Sequence, residues 1–163
     1  MHTEMGEYLV GAYLKLKFGC DVVDYNVRPP GGGQNGLNEL DVIGLNFKTN
    51  QAYICEVTTH IRGLLYTSNA ITIQRIREKY SRQKLYANEH LPKFKHNKYM
   101  FWSPVVPVGY LTRELPQIQG LEVVINGDYK RCIEELRTLA QKITYDACNP
   151  AFRVLQVLEH LRD

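Results

Sequence analysis

No stretch of this sequence approaches the roughly 20 consecutive apolar residues that a membrane-spanning helix needs. One of its longer uncharged stretches, residues 97–108, is interrupted at Lys98. A helical membrane protein is excluded. A basic-then-apolar leader is lacking too, with Glu4 and Glu7 in its place, so the cytoplasm is the expected location. There are no low-complexity tracts and no internal repeats, and 44% hydrophobic with 23% charged residues excludes both intrinsic disorder and a coiled-coil rod. Cysteine is scarce. Cys20, Cys55, Cys132 and Cys148 are far apart, form no C-x-x-C pair and have no histidine at zinc-ligand spacing, so buried free thiols are expected. What remains is a chain of 163 residues, one domain long and large enough to bury its own core without staples.

The net charge of +3 is unevenly spread. Between positions 75 and 98, eight basic side chains face only Glu78 and Glu89, a net of +6, whereas residues 1–61 carry four basic side chains against seven acids, a net of −3. An acidic half followed by a basic helix suits carboxylates that hold a cation and lysines that hold a polyanion. A solvated helix face would produce the same pattern.

Met5, Tyr8, Leu9, Ala12, Tyr13 and Leu16 recur at helical spacing, which predicts an amphipathic helix over residues 3–18 that stops near Gly19. Glu7 falls in a second stripe with Val10, Gly11, Leu14 and Phe18, one acid among core residues. Residues 21–28 read as a strand, followed by a mobile loop from Pro29 through Gly36. Residues 37–45 and 52–59 are β-branched, apolar runs that read as a hairpin of buried strands. A basic amphipathic helix over 71–88 has Ile73, Ile76, Tyr80 and Ala87 on its core side, and strands follow at 99–106 and 121–125. Asp128 is placed to cap a helix with Tyr129, Cys132, Ile133, Leu136, Ala140 and Ile143 on its core face. Asn149 and Pro150 open the last helix, whose Phe152, Leu155, Leu158 and Leu161 are core or a dimer surface. The order describes an α/β domain, a mixed five-stranded sheet flanked by helices.

Two of the buried strands contain carboxylates, which are costly there unless paired. Glu39 and Asp41 lead into the run that ends at Leu45, and Glu56 interrupts the run from Ala52. Alternation puts Ile54, Glu56 and Thr58 on one face and Tyr53, Cys55 and Val57 on the other. Hairpin pairing would bring Asp41 beside Glu56, and two adjacent carboxylates need a proton or a cation between them. Hard oxygen ligands of this kind suit Mg²⁺ or Mn²⁺. Salt bridges to Arg28 or Arg62 would answer the same need.

Glu7 on the first helix, Asn38-Glu39-Leu40-Asp41 entering the second strand and Ile54-Cys55-Glu56-Val57-Thr58 on the third resemble the PD-(D/E)XK nuclease superfamily, in the form seen in Holliday-junction resolvases and small restriction-endonuclease-like proteins. The likeness covers residues 4–60 and the basic helix after them. It implies one restriction-endonuclease-like domain over residues 1–163, three layers α/β/α around a mixed five-stranded sheet. The implied activity is Mg²⁺- or Mn²⁺-dependent hydrolysis of phosphodiester bonds in DNA, or in RNA. Glu7, Asp41 and Glu56 would be the metal ligands and, with Thr58 and Lys79, the catalytic set. The family's third element is Glu-x-Lys, and Thr58 stands where that lysine would be. Lys79 on the next helix is the first candidate to supply the cation, with Gln74 and Lys84 behind it, and His60 shares the Glu56 face. Arg75, Arg77, Lys79, Arg82 and Lys84 would hold the nucleic acid. Tyr66 and Tyr86 could stack on opened strands, while Tyr80 belongs to the core stripe. The competing reading is a non-catalytic restriction-endonuclease-like subunit for DNA binding or assembly, with Thr58 marking lost chemistry. A homodimer is compatible with either.

Overall fold

The computed structural model describes residues 2–30 and 39–162. In chain order it contains α1 (Met5–Leu16), β1 (Val22–Val27), β2 (Leu40–Asn46), β3 (Gln51–Val57), α2 (Asn69–His90), β4 (His96–Ser103), α3 (Tyr110–Glu114), β5 (Leu121–Ile125), α4 (Gly127–Ala140) and α5 (Pro150–His160). The strands form a single mixed sheet whose spatial order is the chain order. β1, β2 and β3 are an antiparallel meander, with Val42 opposite Cys55 and Ile43 opposite Ile54. Helical crossovers then add β4 and β5 in parallel, setting Glu56 beside Phe101 and Trp102 beside Val124.

Both faces of the sheet are covered, which is why β3 and the second half of β4 read as nearly continuous apolar runs. On one face Tyr53, Cys55, Val57, Met100 and Trp102 pack with Val10 and Leu14 of α1, Leu136 of α4 and Phe152 of α5. On the other, Ile43, Ile54 and Phe101 belong to clusters completed by Ile73, Ile76 and Ala87 of α2 and Leu111 of α3. The result is the expected three-layer α/β/α arrangement. Two glycines set how closely α1 approaches the sheet: a Cβ at Gly11 would run into the Tyr25 ring and one at Gly6 into the Thr59 side chain. The second approach brings the N-terminal turn of α1, and with it Glu7, to the end of β3.

The structure departs from expectation at several points. α3 was not anticipated, because only Leu111 of its five residues is buried and no periodicity can show. α2 is longer than 71–88, beginning after Ser68, whose hydroxyl accepts the Ile71 N–H. β4 begins at His96 and ends at Ser103 rather than spanning 99–106, since its polar start pairs with Gln51 and Ala52. Asp128 does not cap α4. Asn126 holds that position with φ +51° and no side-chain cap, its amide being spent on both backbone groups of Val106, while Asp128 bonds Arg131 at 2.7 Å. Asn149 does cap α5, accepting the Phe152 N–H at 3.0 Å. Cys148 is exposed, unlike the other three free thiols. On α5, Phe152 is buried while Val154, Val157 and Leu158 are exposed, as is Leu161 just after it. The expected loop at 29–36 and the start of the strand at 37 fall partly outside the described residues. Among those described, no helix is long and apolar enough to cross a membrane.

Candidate active site

The β2–β3 ladder runs from Asn46 opposite Gln51 to Val42 opposite Cys55. One further step of that register would set Asp41 against Glu56, and there a side chain replaces the ladder: the Val57 N–H donates to Asp41 Oδ2 at 2.7 Å. The opposite edge of β2 is irregular at the same step. Pairing with β1 skips from Tyr25–Val42 to Val27–Leu40, and Asn26 between them adopts φ +54°. Asparagine tolerates this left-handed conformation better than most residues. Its side chain donates to Glu7 Oε2 at 3.2 Å and to Thr3 Oγ1 at 3.1 Å, and the Glu4 N–H donates to the same Glu7 oxygen at 3.0 Å. Glu7 is thus fixed through one oxygen from two directions. Asn26 was missed in the sequence, where its only signal is a turn-forming amide inside a short valine-rich strand run.

Glu56 is buried and its carboxylate pairs with the Lys79 ammonium, which reaches it from α2. Glu7, Asp41, Glu56, Thr58 and Lys79 therefore come from α1, β2, β3, the segment after β3, and α2, and all line one open cleft of about 310 Å³. Glu4, His60 and Tyr66 line it as well, and Thr59 Oγ1 donates to Glu4 Oε2 at 2.9 Å along its wall. Neither Arg28 nor Arg62 serves as counter-charge to Asp41: Arg28 pairs with Glu39 at 3.2 Å, and Arg62 is exposed outside the cleft. Gln74 lies outside it too, donating to Glu78 at 2.9 Å.

Four carboxylates, those of Glu4, Glu7, Asp41 and Glu56, line the cleft with one ammonium, and the electrostatics follow from that imbalance. Burial pushes the Asp41 carboxyl above the usual carboxylate range, against the Val57 N–H and the Lys79 charge. Glu7 is raised by burial as well, and the charge of Asp41 adds to it. Burial lowers Lys79, while Asp41 pulls it back up. Asp41 Oδ1 and Glu7 Oε1 accept no hydrogen bond from the described residues, and the buried Thr58 Oγ1 has no partner among them either. The donor set is hard oxygen with an unmet negative charge, which fits Mg²⁺ or Mn²⁺. No group of three or more His, Cys, Asp or Glu side chains stands at metal-holding distance among the described residues. Glu7, Asp41 and Glu56, expected together as metal ligands, therefore do not form such a group.

The five cations assigned to nucleic acid do not share a face. Arg75, Lys79 and Arg82 follow i, i+4, i+7 spacing along one edge of α2 and continue to Tyr86 at i+11; of these Lys79 lines the cleft, and Arg82 also borders a shallow surface hollow with Arg77. Arg77 and Lys84, themselves seven apart, fall on the other edge, where Lys84 sits 4.3 Å over the Tyr80 ring. Tyr80 is half-buried against the core, held there by Tyr99 and by its bond to the Gln119 carbonyl at 3.1 Å. Comparison of the chain with family models, with curated proteins and with solved structures finds no match in any of the three.

Proposed function

We propose that the protein is a metal-dependent nuclease that hydrolyses phosphodiester bonds in DNA. The observation that carries this reading is the convergence of Glu7, Asp41, Glu56 and Lys79 from four separate elements on one cleft with excess negative charge. Asp41 and Glu56, with Glu7 beside them, would hold the ion. A divalent cation bound there makes water a usable nucleophile near neutral pH and offsets charge that builds on the phosphate. The chain's own residues supply the positioning. The Val57 N–H and Asn26 each hold one carboxylate oxygen still, so that the other oxygen stays directed by the backbone rather than by solvent. Lys79 provides the cation that Thr58 does not, its ammonium standing beside Glu56 to orient the attacking water and to donate to a phosphoryl oxygen.

The test is incubation with plasmid and with single-stranded DNA under Mg²⁺, Mn²⁺ and chelator, for the native chain and for Asp41→Asn, which can still accept the Val57 N–H. Cleavage that requires the metal and is lost in Asp41→Asn supports the nuclease. If the native chain cuts nothing under either metal, the non-catalytic, nucleic-acid-binding reading takes its place.

A further inference from the structure

The cleft has two unlike rims. On the α2 side lie Arg75, Lys79 and Arg82, in line over about 10 Å of helix axis and continued by Tyr86 to about 16 Å. Aromatic rings stand at both ends of that line. Tyr66 lines the cleft half-buried, with the Arg75 guanidinium 4.9 Å from its ring centroid and the His60 ring edge-on at 5.9 Å. At the other end Tyr86, also half-buried, lies 4.7 Å from the exposed His90 ring and borders a hollow of about 100 Å³ shared with Pro29, Leu40 and Arg82.

Among the described residues, no lysine or arginine lines the opposite rim. Its wall is Glu4 and Thr59, and beyond them lies an apolar groove of about 800 Å³ bounded by Met5, Tyr8, Ile61 and Ile133. A duplex lying over the cleft would press its second phosphate backbone onto this acidic and apolar rim. One strand needs only one cationic line, and with its bases unpaired it has π-faces to offer to the rings.

We infer that the substrate is single-stranded: an unpaired polynucleotide runs along the Arg75–Lys79–Arg82 edge of α2, phosphates on the cations and bases on Tyr66 and Tyr86. The inference rests on the nuclease reading for what happens at the cleft, which Lys79 and Tyr66 line, whereas Arg75, Arg82 and Tyr86 of the track lie outside it. Its test is therefore binding, measured in chelator by fluorescence anisotropy, with labelled oligothymidylate, oligouridylate and a DNA duplex of the same length. Both single strands are expected to bind more tightly than the duplex. Tyr66→Leu and Tyr86→Leu, which keep apolar bulk, should each weaken single-strand binding about fivefold or more, while the Phe versions bind like the native chain. Arg75→Gln and Arg82→Gln should each flatten the log–log salt dependence by about 0.7, the single-strand value per phosphate, and Arg77→Gln and Lys84→Gln should leave it unchanged. Thermal melts run alongside separate lost binding from lost folding. Duplex bound as tightly as single strand overturns the inference, as do Leu variants that melt and bind like the native chain. A protein that shows these binding effects but never cuts retains the track and loses the nuclease.

Discussion

Replacing Lys79 with methionine removes the ammonium and keeps an apolar side chain as long as the lysine's methylene stem. The Glu56 side chain is only 6% exposed and that of Lys79 29% exposed, so the variant leaves a buried carboxylate without its counter-charge. Breaking a fully buried ion pair costs about 3–5 kcal/mol. The lysine end of this pair is partly solvated, which reduces the cost to roughly 1–3 kcal/mol. For a domain of this size each kcal/mol moves Tm by about 2–4 °C, so the metal-free variant should melt roughly 2–12 °C below the native chain. A divalent cation held by Asp41 and Glu56 competes with Lys79 for the same carboxylate. Mn²⁺ should consequently bind Lys79→Met more tightly, and a tenfold gain in affinity at saturating ion would return about 1.4 kcal/mol of that loss. Cleavage should disappear all the same, because the ammonium acts on the transition state. The assays are melting in chelator and in Mn²⁺, titration calorimetry with Mn²⁺, and single-turnover cutting, with Lys79→Arg as the charge-keeping control. An unchanged melt in chelator, or Mn²⁺ binding no tighter than in the native chain, would falsify the assignment of Lys79 as the site's resident counter-cation.

The remaining expectations are briefer. Asp41 and Glu7 have folded-state pKa values raised by burial, so the native state binds more protons than the unfolded chain just above the ordinary carboxylate range; metal-free stability falls as pH rises through that window. Asp41→Asn removes its share of this dependence and should melt higher than the native chain at pH 8 in chelator, the gap closing as pH falls to about 4; a lower melt at pH 8 would refute the electrostatic account. Gly11→Ala drives a methyl into the Tyr25 ring and should cost roughly 1–3 kcal/mol, read by denaturant titration, with no loss expected if α1 can simply shift outward. Asn149→Ala removes the α5 cap together with the bonds from its amide to the Tyr8 carbonyl (2.8 Å) and to Tyr25 Oη (3.1 Å), so its cost should lie at or above the roughly 2 kcal/mol upper end for a cap.

Much of the fold was legible because apolar periodicity and coverage agree. A strand covered on both faces shows as a continuous apolar run, and the lone Glu56 within β3 was visible for that reason. Glu7 could be picked out because it is buried on a helix whose other acids and bases lie elsewhere on its circumference. The register that sets Asp41 toward Glu56 followed from the short connection between β2 and β3. α3 left no trace, having a single buried residue, and the polar first residues of β4 are held by neighbouring strands rather than by their own propensity. Asp128 and Asn126 show a different failure. Both suit a helix cap, and the choice was made by Val106, whose two backbone groups claim the Asn126 amide and fix the chain entering α4.

The basic helix separates what a charge sum can say from what spacing can say. Eight cations in one segment set the net field but carry no direction, and a count of five on α2 overstates what a ligand beside the cleft would meet. Spacing supplies the direction: positions 75, 79, 82 and 86 stay within one flank of the helix, and 77 and 84 fall on the other. The same rule explains why Lys79 can reach Glu56. Its flank lies next to the buried face made by Ile76, Gln83 and Ala87, so a long side chain leaving that edge arrives at the end of β3, where the strand's one acid is waiting. Thr58 stands two residues after Glu56, and the cation beside Glu56 comes instead from α2, a different element of the fold that no reading of β3 alone would reach.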